Sequence, residues 1–113
     1  MTETNGKMVS MALIEKEAKK IYKQYYKVTF KANALDKKTK ELIALGVSAA
    51  IGCQGCLRGH LRKSISLGIT LDEIKEAVAV ASGVAAAGVI DATDIANAEL
   101  GLVLASEEVE VDA

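Results

Sequence analysis

The sequence predicts an all-α protein, and three features of its composition and patterning support this. The chain of 113 residues has no proline, and its nine glycines are concentrated from Gly46 onward, which suits long helices joined by short turns. Aromatic residues are scarce, so a core must be built from Ala, Val, Ile and Leu, whose small side chains favour closely packed helices. Apolar residues recur at three- and four-residue steps, which is the period of a helix.

Two helices are expected in the first half of the chain. The second helix is predicted to follow an Asp36 cap and to be mostly buried, because apolar residues occupy nearly every side of it through Ile51. Glu41 is its only acidic residue after the cap. The first helix is predicted to be amphipathic and to end between Val28 and Ala34, because apolar residues recur at helical steps from the start of the chain: Met8, Met11, Ile14, Ala18, Ile21 and Tyr25.

A third helix is expected after a break at Gly52, running from Cys53 to Leu67 with Gly68 as its stop signal. Thr70 and Glu73 fit a capping box and predict the start of a fourth helix. Its apolar stretch, residues 77–90, is too short to span a bilayer and predicts a buried helix, not a membrane segment. Small residues on this helix are expected to let another backbone approach closely: Ser82, Gly83, Ala87 and Gly88.

A fifth helix, separate from the fourth or continuous with it, is expected from Asp91 to Ala105. We therefore expect one domain over residues 1–113, with a core over about residues 35–92 and disordered tails at residues 1–7 and 106–113. The N-terminal residues show no secretory signal, which predicts a cytoplasmic protein.

The charges are divided between the two halves of the chain. Residues 1–63 hold 13 of the 14 lysines and arginines, whereas residues 64–113 hold Lys75 and ten acidic residues. The N-terminal lysines are mixed with Glu15 and Glu17 and lack an aromatic platform, so we expect no binding to nucleic acid. Opposite charges on the two halves suit self-association of a small chain.

The chemistry is expected at Cys53 and Cys56, the only two cysteines. Cysteines three apart at the start of a helix can form a reversible disulfide, and a helix N-terminus lowers a thiol pKa. At 100° per residue, His60 lies on the same helix side as both cysteines and can exchange a proton with Cys56. Glu41, on an otherwise apolar helix, is a candidate proton acceptor that orients His60.

Other interpretations of these residues stay open at this point. The cysteines could be unreactive core residues, and the histidine a satisfied polar side chain. Cys53, Cys56 and His60 could also be three zinc ligands, with the fourth supplied by Glu41, water or another subunit. A thioredoxin-like protein is excluded, because that motif follows a strand and no strand pattern precedes Gly52.

Residues 35–45 (LDKKTKELIAL) and 52–60 (GCQGCLRGH) resemble the alkylhydroperoxidase D-like branch of the carboxymuconolactone decarboxylase superfamily. That branch has a Glu, eleven intervening residues and then Cys-x-x-Cys-x-x-x-His, a spacing that Glu41, Cys53, Cys56 and His60 match. The resemblance covers about residues 35–92. It implies a helical fold of about five to six helices that assembles as a trimer or hexamer.

The resemblance also implies an antioxidant peroxidase or disulfide reductase, with no cofactor and no bound metal. Cys56 would attack a hydroperoxide, Cys53 would resolve the product to a disulfide, and His60 and Glu41 would relay protons. A thioredoxin-like or lipoyl-type dithiol would then reduce the pair. The best-studied members have a histidine where this chain has Gly55, which places the substrate in question. The alternatives are a decarboxylase-type lyase, or a redox-sensing or metal-binding oligomer without turnover.

Overall fold

The protein is all-α, as the sequence predicts. The computed structural model describes residues 8–105, which contain four helices and no β-strand: α1 (Lys16–Thr29), α2 (Lys37–Ile51), α3 (Gln54–Ser66) and α4 (Leu71–Leu100). The chain divides into two compact units, one up to Lys37 and the other from Lys38 onward. The single-domain assignment stays a prediction, and the tails predicted at residues 1–7 and 106–113 lie outside the described residues.

Helix α1 begins later than its apolar pattern predicts. The stretch from Ser10 forms turns instead of a helical turn, with Met11 in the left-handed region at a φ of 56°. Glu15 then caps the helix, because its carboxylate accepts hydrogen bonds from the backbone N–H groups of Glu17 (2.9 Å) and Ala18 (3.0 Å). These two bonds lower the pKa of the Glu15 carboxyl. None of the residues in α1 is buried.

The turn between α2 and α3 is tight and begins at the predicted break. Gly52 adopts a φ of 76°, a conformation that favours glycine. The Cys53 N–H then donates to the Ser48 carbonyl over 2.9 Å, which fixes the start of α3 against the end of α2. Cys53 is the N-cap of α3 and not its first helical residue, because its ψ of 96° is extended. The prediction that α3 begins at Cys53 is therefore wrong by one residue.

Helix α3 stops where Gly68 predicts that it should. Gly68 has a φ of 81° and donates its N–H to the Ile65 carbonyl, while the Ile69 N–H donates to the Ser64 carbonyl, both over 3.0 Å. This paired arrangement is a Schellman motif, which satisfies two carbonyls at the end of the helix. The motif also directs Ile69 into the core.

Helix α4 starts with the predicted capping box. The Glu73 N–H donates to Thr70 Oγ1 over 3.1 Å, and the Thr70 N–H donates to Glu73 Oε1 over 2.8 Å. The helix continues without interruption through Asp91 to Leu100, so the predicted fourth and fifth helices are one element. For this reason residues 8–105 contain four helices and not the five to six expected. Gly101, with a φ of 63°, ends the helix.

The core of the second unit lies where α2, α3 and the first turns of α4 meet. Leu45 is fully buried at its centre, next to Ile69 and Ile74. Four partly buried residues surround these three: Leu42, Leu57, Leu61 and Ala77. Helices α2 and α4 come close at Gly46, where an added Cβ would lie 3.7 Å from the Ala81 Cβ. Small side chains allow this approach, as the composition indicated.

The predicted burial of α2 and α4 is wrong for the single chain. Buried positions in α2 are limited to Glu41, Leu45 and Ser48, and α4 has one, Ile74. Gly83 and Gly88 approach no other backbone, since an added Cβ at either would meet nothing within 4 Å. The length of α4 explains its exposure. At 1.5 Å per residue, its 30 residues extend about 45 Å, about twice the length of α2 or α3.

One helix, α4, is long and apolar enough by length and composition to cross a membrane. A single helix of this kind is weak evidence for a span, because core helices have similar compositions. The charges on α4 restrict the possibility further. The uncharged stretch runs only from Ala77 to Ile90, about 21 Å of helix, which is shorter than the ~30 Å hydrocarbon core of a bilayer.

Candidate redox site

The two cysteines form a disulfide at the N-terminus of α3. Cys53 and Cys56 are bonded with their Cα atoms 5.3 Å apart. The spacing between a cap residue and the third helical residue brings the sulfurs together without a long connecting loop. Cys56 is exposed and Cys53 is half-buried, so an external reactant reaches Cys56 more readily.

The sulfur of Cys53 occupies the position of a helix-capping acceptor. Cys53 Sγ accepts a hydrogen bond from the Cys56 backbone N–H, with 3.3 Å between nitrogen and sulfur. A helix N-terminus carries partial positive charge and donors with no partner inside the helix. In the reduced protein the same donor would stabilise negative charge on Cys53. Among the residues of α3, three are basic and none is acidic: Arg58, Arg62 and Lys63.

Glu41 and His60 form a close pair between α2 and α3. Glu41 Oε1 lies 2.8 Å from His60 Nδ1, and only 4% of the Glu41 side chain and 13% of the His60 side chain are exposed. When Nδ1 donates its proton to the carboxylate, the lone pair of the neutral imidazole is on Nε2. In that tautomer Nε2, and not Nδ1, is the ring nitrogen that does not donate to the carboxylate.

The structure places all four predicted site residues on α2, α3 and the turn that joins them. Glu41 and His60 are in contact, as the proposed orienting role requires. Cys56 and His60 are four residues apart on α3, so they share one side of that helix. The predicted common helix side for Cys53 needs correction, because Cys53 is the cap and its backbone is not helical. The catalytic roles of the four residues stay predictions.

Sequence reasoning missed two buried serines that support these residues. Ser48 Oγ donates to the Ala44 carbonyl over 2.7 Å, and the Ser48 carbonyl in turn accepts the Cys53 N–H. Ser64, fully buried, donates its hydroxyl to the His60 carbonyl over 2.7 Å. The available signal was spacing, because Ser48 lies seven residues after Glu41 and Ser64 four residues after His60, which places each on the buried helix side.

Two further observations bear on the alternatives. Within residues 8–105, no group of three or more His, Cys, Asp or Glu side chains is arranged to hold a metal ion. In the disulfide form, neither Cys53 nor Cys56 offers a thiolate to a metal. An added Cβ at Gly55 would meet nothing within 4 Å, so the space at this position is open.

The chain matches a known protein family over most of its length. Residues 16–98 match the profile of the carboxymuconolactone decarboxylase family. The chain belongs to the carboxymuconolactone decarboxylase family. The match includes the turn, both cysteines, His60 and Glu41, so the local geometry described above lies inside the family's shared region.

Curated relatives of this family match over shorter stretches. An uncharacterised protein from the cox locus of Paracoccus denitrificans is 43% identical over 56 residues, which is half of this chain and half of that protein. The alkyl hydroperoxide reductase AhpD of Anaeromyxobacter sp. (strain K) is 43% identical over 49 residues, covering 43% of this chain and 26% of that enzyme. The chain thus spans half or less of the length of the curated relatives it matches.

Two solved structures share the fold over most of their length. A Methanobacterium thermoautotrophicum protein superposes with a TM-score of 0.67 and 28% identity, covering 70% of this chain and 89% of that one. A carboxymuconolactone decarboxylase family protein of Thermotoga maritima, with a suggested part in the antioxidative response, gives 0.61 and 30%, covering 73% and 84%. Both support the family fold for this chain.

Proposed function

We propose that the protein is a thiol-dependent oxidoreductase that reduces hydroperoxides, with Cys53 and Cys56 cycling between dithiol and disulfide. The observation that carries the proposal is the Cys53–Cys56 disulfide at the start of α3, the helix that also carries His60, whose imidazole contacts Glu41 on α2. The two cysteines would supply two electrons, and the Glu41–His60 pair would accept and donate protons.

In the first step the Cys56 thiolate attacks the terminal oxygen of the hydroperoxide. The O–O bond breaks, Cys56 becomes a sulfenic acid, and the alkoxide leaves as an alcohol after taking up a proton. Cys56 suits this step because it is exposed. His60, one turn along the same helix side, removes the thiol proton at Nε2 and can return it to the leaving alkoxide.

In the second step Cys53 resolves the sulfenic acid. Its sulfur attacks the Cys56 sulfur, the S–O bond breaks, and hydroxide leaves and is protonated to water. The product is the disulfide present in the structure. The N–H of Cys56 that reaches Cys53 Sγ favours the thiolate of Cys53 as the attacking form.

An external dithiol then restores the reduced form. One donor thiolate attacks the exposed sulfur of Cys56, and Cys53 leaves as a thiolate that the helix N-terminus stabilises. The second donor thiol attacks the donor's own sulfur in the mixed disulfide and releases Cys56. A thioredoxin-like or lipoyl-type dithiol has the chemistry for both exchanges.

Relatives with known names support the chemistry of this proposal. The Anaeromyxobacter relative is named an alkyl hydroperoxide reductase, and the Thermotoga structure is linked to an antioxidative response. The stretch shared with the reductase is a quarter of that enzyme, so the substrate and the donor are part of our proposal.

Turnover with single-cysteine variants tests the proposal. The wild type should consume an organic hydroperoxide when supplied with a dithiol donor. Cys56→Ser should reduce consumption to the background rate. Cys53→Ser should lose dithiol-dependent turnover but still consume one peroxide per chain and form a sulfenic acid at Cys56 that a sulfenic-acid probe labels.

Full activity of Cys56→Ser would overturn the assignment of the attacking sulfur. Peroxide consumption by neither the wild type nor any variant would overturn the peroxidase activity. A lactone decarboxylation that persists in the double Cys→Ser variant would instead favour a lyase, because that reaction does not require a thiol pair.

A further inference from the structure

An open apolar groove lies between α2 and α4, and none of the four predicted site residues lines it. Its volume is about 570 Å³, and its walls are almost entirely aliphatic. Six residues form most of the walls: Leu42, Ile43 and Val47 from α2, and Ala77, Val80 and Val84 from α4. Val80 is 67% exposed and Val84 is 68% exposed. A contiguous apolar surface of this kind marks an interaction site.

Helix α1 has a second apolar surface. Ile21, Tyr22, Tyr25 and Val28 lie on one side of this helix, since their spacing follows the helical repeat. All four are half or more exposed. The lysines of α1 lie on the opposite side. An amphipathic helix with an exposed apolar side fits an apolar groove on another molecule.

Charge favours α1 over α4 as the occupant of the groove. The sequence of α1 has five lysines and one Glu, a net charge of +4, whereas α4 has six acidic residues and one Lys, a net charge of −5. Two copies of α4 would therefore repel each other. Glu76 lines the groove, and Asp91 lies on the same helix side as Val84, seven residues further along.

The lysines of α1 need no direct ion pair with these carboxylates. With its apolar side in the groove, α1 would hold its lysines about one helix diameter, ~10 Å, from the acidic helix. This distance is close to the Debye length of about 10 Å at 0.1 M salt, so the attraction would persist at low salt and weaken as salt is added.

From these two surfaces we infer that α1 of a second copy of this chain docks, apolar side inward, in the groove between α2 and α4. Family resemblance implies an oligomer but does not say which surfaces form it. This docking joins two defined surfaces, the apolar side of α1 and the groove between α2 and α4. It is independent of the proposed peroxidase chemistry, since no cysteine takes part.

Matched variants test the docking surface. Val80→Glu places a charge in the groove, whereas Ile65→Glu places the same charge on α3 at a residue outside the groove that is equally exposed, 63% against 67%. The mass of each full-length protein is measured by light scattering over a dilution series. Val80→Glu should raise the dissociation constant at least about tenfold, and Ile65→Glu should leave it unchanged. Val47→Glu, on the opposite wall, repeats the test if Val80→Glu unfolds.

A compensating change tests the partner helix. Adding Ile21→Lys to Val80→Glu should restore part of the association, because it puts a positive charge on the side of α1 that would face the new glutamate in the groove. Raising the salt concentration should weaken association of the wild type. A wild type that is monomeric at all concentrations, or variants in both walls that associate as the wild type does, would overturn the inference.

Cross-linking separates a second copy from other occupants. Tyr25 is replaced by a photoreactive residue, and unlabelled and isotope-labelled forms of this variant are mixed before irradiation. Light-to-heavy links between α1 and the groove support the inference. If both ends of every cross-link carried the same isotope label, the inference would be overturned in favour of the chain's own α1. Binding of the wild type to phospholipid vesicles that Val80→Glu abolishes would overturn it in favour of a membrane.

Discussion

The side chains that support the redox site are buried within the single chain, whereas most of α4 from Val78 onward is exposed to solvent. Around the redox site, Glu41, Ser48 and Ser64 are buried and hydrogen-bonded. All three lie within one stretch of 24 residues, from Glu41 to Ser64. Within residues 8–105, no buried side-chain nitrogen or oxygen lacks a partner. From Val78 onward, α4 instead exposes valines, isoleucines and leucines along its whole length.

The contacts around the redox site therefore form between neighbouring elements of one chain, whereas one chain does not supply enough surface to bury α4. A tight turn, a capping sulfur and the hydrogen bond between Glu41 and His60 can form within a single chain, because each contact joins neighbouring elements. A helix of about 45 Å cannot be covered by partners half its length. We therefore expect changes at the site to affect chemistry in one chain, and changes on α4 to affect association.

The largest effect is expected at His60. Replacing it with alanine removes the proposed proton acceptor and leaves Glu41 without its partner. General acid–base groups contribute about 10²- to 10⁴-fold, so peroxide turnover by His60→Ala should fall by that factor. Arg62→Ala, an exposed change two residues away, is the control. Steady-state rates at saturating dithiol make the comparison, and unchanged turnover in His60→Ala would remove histidine from the mechanism.

Next in size is the loss of the core that holds the site. Leu45 is fully buried, so Leu45→Ala should lower the free energy of unfolding by about 2–5 kcal/mol. Ile65 is exposed outside the groove, and Ile65→Ala should change it by no more than about 0.5 kcal/mol. Urea unfolding at one protein concentration measures both. Equal losses would show that the described core does not carry the stability of this unit.

The smallest effect is expected at the start of α4. Thr70→Ala removes the hydroxyl that accepts the Glu73 N–H and should cost about 1 kcal/mol of stability. The backbone N–H of Thr70, and then its hydroxyl, lower the pKa of the Glu73 carboxyl below its ordinary value of 4.5. The ionised form of Glu73 is therefore the one that stabilises the fold.

That stabilisation is present above pH 4.5 and is lost as the pH falls through the lowered pKa of the folded state. Thermal unfolding of the wild type and of Glu73→Gln should differ at pH 7, and the difference should shrink as the pH falls below 4.5. A difference that grows in acid would contradict the assigned direction.

Local signals in the sequence predicted the helix ends well. Gly52, Gly68, and Thr70 with Glu73 each fix a turn or cap through their own backbone, so neighbouring residues suffice to read them. Periodicity alone misplaced the start of α1, because Met8 and Met11 continue an apolar pattern through a stretch that forms turns. Asp91 does not interrupt α4, since a charged residue is compatible with a helix.

The site was partly predictable. The cysteine spacing and His60 were visible on one segment, whereas Glu41 lies nineteen residues before His60 and entered mainly through family spacing. The supporting serines were missed because their role depends on which helix side is buried. Burial of α2 and α4 was predicted wrongly for the single chain, because hydrophobic composition does not say whether the cover comes from the same chain.

A single-turnover measurement tests the central claim most directly. The protein is fully reduced, freed of reductant without air, and mixed with one equivalent of an organic hydroperoxide. We predict one alcohol formed and two thiols lost per chain, with mass spectrometry locating the new disulfide at Cys53 and Cys56. Intact hydroperoxide together with two unreacted thiols would contradict the account.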